Sequence, residues 1–231
     1  MMKRMLITAL AALLTVTAFA SQPDEPIYVS SNGKVSIDLF SHLGWGYHIT
    51  KSNDFKPAGT GEFFFNIAKV GLYPSENLGF EFGVDIECNY FRSKQNFFVL
   101  DSQNKIKAID IASYMSSLSG GYERARGSFS FLTFNAPVLV KGIFDKFELG
   151  VGAEASLNCL GDTYTSYRIG NKQTEIDESG AEINLFSYGL VATIGYDDMS
   201  LYFKYYPKGS KVLPDGSVDF SFVTVGIAFG F

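Results

Sequence analysis

The sequence predicts an all-β protein, an eight-stranded antiparallel up-and-down β-barrel that follows a cleaved signal peptide. Three observations support this prediction. Apolar and polar residues alternate with a period of two over long stretches, as in strands with two different faces. Short turns alternate with long connections along the chain. After the N-terminus, no apolar run reaches the roughly 18 residues of a membrane-spanning helix.

The composition excludes several classes of protein. The chain has 231 residues, of which 46% are hydrophobic and 16% aromatic, so it can form a core and does not resemble a disordered chain. Its 19 basic and 24 acidic side chains give a net charge of −5. This charge argues against nucleic-acid binding, which needs a basic surface.

The first element, residues 1–20, has the composition of a signal peptide. Lys3 and Arg4 form a charged start, an apolar stretch runs from Leu6 to Val16, and Ala18-Phe19-Ala20 supplies the small residues of a cleavage site. The next residue is a serine rather than a cysteine, so the sequence does not indicate a lipoprotein. We therefore expect the protein to be exported from the cytoplasm.

The mature chain divides into two predicted parts. Residues 21–34 are expected to form a periplasmic linker, and residues 35–231 are expected to form the barrel. The two cysteines, Cys88 and Cys159, both occupy apolar positions of the alternating pattern. We expect them to be unpaired, because two thiols do not make a disulfide scaffold even in an oxidising compartment.

Eight segments of the mature chain alternate and are predicted as strands. The pattern is clearest over residues 35–49, 78–91 and 147–160, where one face of each strand carries no charged residue. These strands are far longer than the ~5–6 residues of an average globular strand, and a tilted strand crosses a bilayer with about 9–11 residues. The five weaker segments are residues 64–73, 131–144, 186–196, 199–206 and 218–231.

The connections between these strands differ in length on the two sides of the predicted barrel. The short turns lie at residues 74–77, 145–146 and 197–198. The long connections are residues 50–62, 92–128, 161–182 and 207–217. Outer-membrane barrels have short periplasmic turns and long outer loops. An even number of strands then brings both termini to the periplasmic side.

Alternation alone does not say which face is outside, since a soluble lipocalin-type barrel also alternates. Glycines are frequent on the polar faces, as the crowded interior of an eight-stranded barrel requires. Aromatic residues lie near the ends of the apolar faces, as in the girdles of membrane barrels. The sequence therefore predicts a transmembrane β-barrel with its apolar faces toward lipid. A soluble periplasmic barrel that binds an apolar ligand is the alternative.

The polar faces place a set of charged residues inside the predicted barrel. Side chains on neighbouring strands about 4.8 Å apart reach each other, and eight strands leave room only for side chains. We therefore expect a plugged, non-conducting interior in which these charges pair. The predicted interior residues are Asp38, His42, Lys69, Glu81, Asp85, Glu87, Lys141, Glu148, Glu154 and Lys204.

An enzyme that acts on membrane lipids is a further alternative, because paired carboxylates can serve as general acid and base. Asp85 and Glu87 share one face of a strand, but an interior network of paired charges is the favoured explanation for them. Asp38 and His42 are four residues apart on a strand, roughly 13 Å, which is too far for a hydrogen bond. The sequence predicts no catalytic residue, no cofactor and no metal site.

Two long connections carry additional patterns. Residues 92–128 contain the apolar runs 97–100 and 106–109, which predict a hairpin above the membrane. The same connection holds six basic side chains, so it is a candidate for contact with anionic lipopolysaccharide or with a partner protein. Residues 161–182 are rich in acidic residues and contain no specific motif.

Two motifs resemble known outer-membrane proteins. The ending Phe229-Gly230-Phe231 resembles the C-terminal signature of bacterial outer-membrane barrels, which implies recognition by the barrel insertion machinery through Phe229 and Phe231. The segment from Phe134 to Gly142, followed by the glycine-rich strand from Phe147 to Gly152, is similar to the centre of the PorT-like outer-membrane barrels of Bacteroidetes. This resemblance implies outer-membrane lipid, lipopolysaccharide and secretion-system proteins as partners, and a structural, binding or secretion-accessory role.

Overall fold

A computed structural model of the chain describes residues 34–117, 122, 124–207 and 210–230. The predicted signal peptide, the predicted linker up to residue 33, and Phe231 of the predicted insertion signal lie outside the described residues. Phe229 is described and points outward from the last strand. Among the described residues, no helix combines the length and the apolarity needed to cross a membrane.

Strands dominate the described part of the chain, with one short helix between two of them. The elements are β1 (Lys34–Leu39), β2 (His42–Ser52), β3 (Gly61–Ser75), β4 (Leu78–Ser93), β5 (Asn96–Leu100), β6 (Ile106–Asp110), α1 (Ile111–Ser116), β7 (Arg124–Phe144), β8 (Phe147–Ile169), β9 (Lys172–Ala181), β10 (Phe186–Tyr196), β11 (Met199–Tyr205) and β12 (Phe220–Gly230).

Eight strand positions close into an antiparallel ring. Both β1 and β2 pair with β3, so together they form one strand that is interrupted at Phe40, whose φ is 55°. The ring then runs β3-β4-β7-β8-β10-β11-β12 and returns to β2. The predicted all-β, eight-stranded antiparallel barrel is therefore confirmed.

The three short turns predicted from the sequence are also confirmed. The connections from β3 to β4, from β7 to β8 and from β10 to β11 each consist of two residues. Asp145 and Asp197 begin two of these turns with φ of 57° and 55°, a left-handed conformation that aspartate tolerates better than most residues. We call this end of the barrel the turn end and the opposite end the loop end.

At the loop end the predicted strand boundaries are wrong. β7 begins at Arg124 and β8 continues to Ile169, so these strands rise well beyond the predicted limits at residues 131 and 160. β9 pairs with the extension of β8, so residues 161–182 form a hairpin rather than a loop. The hairpin predicted within residues 92–128 is confirmed as the β5–β6 pair.

The two faces of the ring have opposite polarity. Outward side chains are large, apolar and exposed, among them Trp45 at 68% and Val151 at 63% exposure. Inward side chains are polar and buried, among them Glu87 at 1% and Thr224 at 0%. The predicted direction of the two faces is confirmed. This polarity is the reverse of that in a soluble barrel, whose apolar residues face inward.

Candidate functional site

Five predicted interior residues form a chain of ion pairs at the turn end, which we call the turn-end network. Lys69 lies 3.6 Å from Asp38 and 3.9 Å from Glu81. Lys141 lies 2.7 Å from the same Glu81 and 2.9 Å from Glu148. Each lysine therefore bridges two carboxylates that project from neighbouring strands. This network ties β1, β3, β4, β7 and β8 together inside the barrel.

A second cluster fills the middle of the lumen and is centred on Lys204, which is 5% exposed. Its ammonium nitrogen contacts Glu87 and lies 3.1 Å from Glu62 and 3.8 Å from Glu154. All three carboxylates are almost completely buried. We call these four residues the central cluster. One ammonium group therefore faces three carboxyl groups that come from three different strands.

Neighbouring polar groups hold the carboxylates of the central cluster in place. The amides of Asn89 and Asn135 donate hydrogen bonds to Glu87 at 2.8 and 2.9 Å. The Tyr206 hydroxyl donates to Glu154 at 2.6 Å. Since a buried carboxylate is stable only when its lone pairs are satisfied, these donors fix the positions of the two glutamates.

Two aromatic rings complete the surroundings of Lys204. Its nitrogen lies 5.3 Å from the ring centre of Phe64 and 5.5 Å from that of Tyr202, which allows cation–π attraction. These rings fit because glycines stand opposite them. A Cβ atom at Gly46 would lie 2.5 Å from the Tyr202 hydroxyl.

The sequence pattern missed one member of the central cluster. Glu62 falls in the predicted connection 50–62, whereas the structure places it in β3 with its side chain inward. The period-two pattern does continue backward from Phe64 to Glu62, with Phe63 on the opposite face. Glycine at position 61 obscures this signal, because glycine is more typical of a turn than of a strand.

The two remaining predicted interior residues lie between the clusters. Asp85 accepts a hydrogen bond of 2.7 Å from the Asn66 amide, and His42 shares a hydrogen bond of 2.7 Å with Ser41. Within the described part of the chain, neither residue forms an ion pair. Both line a cavity of about 110 Å³ in the lumen. A cavity of this size has room for a few water molecules, and charged side chains in its lining can bond them.

Aromatic residues fill the lumen at the loop end. Phe91, on β4, stacks on Phe129 with ring centres 4.9 Å apart and on His48 at 4.8 Å. Two further rings enter from the connections: Phe98 lies 4.9 Å from Phe129, and Phe55 lies 5.1 Å from Phe98. We call this group the aromatic plug. The sequence predicts an interior filled by paired charges, so the aromatic plug is a correction to that expectation.

The β5–β6 hairpin covers the loop end of the barrel and brings Phe98 into the plug. The Thr165 hydroxyl donates to the Phe98 carbonyl at 3.2 Å, and the Leu100 amide donates to Glu178 at 2.9 Å. In the hairpin turn, Asp101 accepts the backbone N–H of Lys105 at 3.0 Å, and this bond lowers the pKa of the Asp101 carboxyl. The hairpin is thus bonded to both β8 and β9.

Docking of the hairpin depends on a glycine in β7. A Cβ atom at Gly127 would lie 2.5 Å from the Asn96 carbonyl oxygen and 2.7 Å from the Phe97 Cα atom. We expect Gly127→Val to displace the hairpin, at a cost of about 1–3 kcal/mol for overpacking. Trypsin cleavage at Lys105 and Lys107 in the folded protein should become faster.

Gly195→Ala is the matched control for this prediction. Its new Cβ would meet its nearest neighbour, the Glu148 Cβ, at 3.6 Å, which is an ordinary contact. We expect this variant to be cleaved at the wild-type rate. Equal cleavage of the Gly127→Val protein and the wild type would show that the hairpin does not depend on close approach to β7.

The cysteines and the acidic residues show no further site. Cys88 and Cys159 are both free, as predicted. In the residues that the structure describes, no group of three or more histidine, cysteine, aspartate or glutamate side chains is arranged to hold a metal ion.

Comparison with known proteins identifies no family. No family model matches the chain, and no curated protein matches it. Among solved structures, it is similar to Ail, the attachment invasion locus protein of Yersinia pestis, with 12% identity, a TM-score of 0.36, and coverage of 87% of this chain and 100% of that chain. Ail in complex with the heparin analogue sucrose octasulfate gives 13% identity, a TM-score of 0.38 and the same coverage. Likeness at this level carries no argument about function.

Proposed function

We propose that this protein is an integral outer-membrane β-barrel with a filled, non-conducting lumen and a structural, binding or secretion-accessory role. The observation that carries this proposal is the reversed polarity of the ring. Charged side chains are buried inside, while a band of large apolar side chains is exposed around the outside. The band includes Trp45, Tyr47, Phe80, Phe82, Val138, Val140, Leu149, Val151, Leu190, Ile194, Leu201, Phe203, Val225 and Ile227.

Water is a poor solvent for such a surface. Soluble monomers rarely expose a continuous apolar patch larger than a few hundred Å², whereas this band encircles the barrel. A closed ring also leaves no unpaired strand edge in hydrocarbon, as the bilayer requires. At the turn end, Phe144 and Tyr196 both lie in register with Phe147 on the strand between them, which is the arrangement of an aromatic girdle.

The contents of the lumen support the non-conducting part of the proposal. The turn-end network, the central cluster and the aromatic plug occupy successive levels of the interior. Lys204 lies close to all three carboxylates of the central cluster, and all three are almost completely buried. A general acid or base must reach its substrate, so this arrangement favours a non-enzymatic role.

Kinship with the PorT-like barrels of Bacteroidetes is part of the proposal and depends on the sequence motif. The proline of that motif, Pro137, faces Glu154 across the β7–β8 pair. It also packs beside Gly83, where a Cβ atom would lie 3.0 Å from the proline ring. A signal peptide, periplasmic termini, recognition by the insertion machinery and contact with secretion-system proteins are proposed on the same sequence grounds.

Reconstitution tests this function. We expect the purified protein to need detergent or lipid for solubility and to migrate faster on a detergent gel before heating than after heating. In planar bilayers it should give no stable conductance steps. Stability as a monomer in detergent-free buffer would contradict the membrane placement. Large, stable conductance would contradict the filled lumen, even if the protein inserts normally.

A further inference from the structure

All four arginines in the described part of the chain lie on one outer surface at the loop end. They are Arg92 on β4, Arg124 and Arg126 on β7, and Arg168 on β8. Arg124 lies directly opposite Arg168 in the β7–β8 pair, and Arg92 is opposite Ser128 in the β4–β7 pair. We call these four residues the arginine surface.

The inner sides of the same strands show that the arginines point outward. Phe91 and Ser93 flank Arg92 and are fully buried. Ala125, next to Arg124 and Arg126, packs against the buried cluster that includes Phe97 of the hairpin. Tyr167, next to Arg168, packs against the same cluster. Because successive side chains of a strand point to opposite faces, the arginine surface lies on the same face as the apolar band.

The described contacts of the arginine surface are with uncharged groups. Arg126 lies 5.7 Å from the ring centre of Tyr164, and Arg168 donates to the Gln173 side chain at 3.4 Å. The Nε atom of Arg92 is buried without a hydrogen-bond partner.

The neighbouring lysines behave differently. Lys107 is paired with Asp101 at 3.5 Å, and Lys211 is paired with Asp215 at 2.9 Å. Directly opposed like charges, as at Arg124 and Arg168, are unfavourable in a sheet. Two loop-end lysines therefore have carboxylate partners within the protein, whereas the described contacts of the four clustered arginines are with uncharged groups, so we expect an external anion.

The height of the surface limits which anion can reach it. On β4, Arg92 lies two residues beyond Tyr90, the last outward residue of the apolar run, and on β7 Arg126 lies six residues beyond the outward Leu132. With a rise of ~3.3 Å per residue and a strand tilt of about 40°, these positions are roughly 5 and 15 Å above the edge of the hydrocarbon. Phospholipid headgroups extend only about 5–8 Å beyond that edge, so they reach Arg92 but not the three arginines on β7 and β8.

We propose that the arginine surface binds phosphate groups on the sugar portion of an outer-leaflet glycolipid of the lipopolysaccharide class. This proposal rests on the proposed outer-membrane function. Such a molecule stands beside the barrel, and its phosphorylated sugars reach the height that phospholipid headgroups do not. Guanidinium groups bind phosphate through two parallel hydrogen bonds, which explains the use of arginine rather than lysine here.

The test compares full-length variants in phosphatidylcholine nanodiscs. In the first variant all four arginines become glutamine (R92Q, R124Q, R126Q and R168Q), and in the second all four become lysine. The matched control removes four exposed lysines of the loop end instead (K51Q, K56Q, K94Q and K172Q). Each protein must first show the fast-migrating unheated band, which reports insertion. Binding of labelled, phosphorylated lipopolysaccharide is then measured at several salt concentrations.

We expect the glutamine variant to bind about tenfold more weakly and to lose most of the salt dependence. The lysine variant should be intermediate, because it keeps the charge but loses the paired hydrogen bonds. The lysine control should stay within about twofold of the wild type. Enzymatic removal of the phosphates from the lipopolysaccharide should lower wild-type binding to the level of the glutamine variant.

Three outcomes would overturn the proposal. Equal binding by the wild type and the glutamine variant would show that the arginines are not the site. Equal competition by phosphatidylglycerol would indicate ordinary headgroups as the source of the phosphate. Equal competition by a soluble sulfated polysaccharide would indicate a soluble polyanion as the partner. A protein that fails to insert at all contradicts the proposed membrane function instead, so the two failures are distinguishable.

Discussion

Replacing Lys204 by methionine is expected to lower the free energy of unfolding by about 3–5 kcal/mol, the usual cost of removing one partner from a buried charge pair. Methionine nearly preserves the volume of the side chain but leaves Glu62, Glu87 and Glu154 facing one another without a cation. Their mutual repulsion and desolvation are then uncompensated. Denaturant unfolding of the vesicle-inserted protein, followed by the fluorescence of Trp45, the one tryptophan in the sequence, measures the loss.

Two further variants identify the cause of this loss. Lys146→Met removes an exposed ion pair with Asp197, whose charged atoms are 3.3 Å apart, and should cost less than about 1 kcal/mol. In the double variant Lys204→Met with Glu87→Gln, part of the lost stability should return, because one of the three negative charges is removed. A Lys204→Met protein as stable as the Lys146→Met protein would contradict the central role of Lys204.

Placing an arginine on the outer band, as in Val151→Arg, is expected to cost about 2–4 kcal/mol in a lipid bilayer. Val151 is 63% exposed and lies near the middle of the outward run of β8. Its new guanidinium group would have to enter hydrocarbon or deform the bilayer around it. Unfolding measurements in vesicles, together with the yield of inserted protein, report this cost.

Ile176→Arg is the matched control for the outer band. Ile176 is also exposed, at 39%, but it belongs to the β9 extension above the ring. An arginine there stays in water, so we expect a change within about 0.5 kcal/mol. If the Val151 and Ile176 variants had equal stability, water rather than lipid would surround the ring.

The period-two pattern was sufficient to predict the ring and the direction of its faces. A strand that is buried on one side must alternate, so Val151 and Glu154 could be assigned to opposite faces from their spacing alone. The alternation of sign on neighbouring strands also predicts the pairing found among Lys69, Glu81, Lys141 and Glu148. The partners of Lys204 could not be predicted in the same way. They depend on the register between strands, which shifts at bulges such as the one between Asn66 and Ala68.

The contents of the loop end were less predictable for a different reason. Phe55 and Phe98 lie outside the ring strands, and periodicity carries no information about where a connection folds. The extension of β8 beyond Leu160 was missed because the chain there packs against the hairpin on one side only. Thr163 and Thr165 face that hairpin, and Asp162 on the opposite face is also polar, so the contrast between the two faces disappears.

The pairing of β2 with β12 has a consequence for biogenesis. His48 and Thr224, 176 positions apart in the chain, share a hydrogen bond of 2.8 Å across this seam. Contacts between such distant segments form slowly, because a long loop must close first. The ring cannot close before β12 is in place, and until then two unpaired strand edges remain exposed. A chain truncated before β12 should therefore be prone to aggregation and degradation.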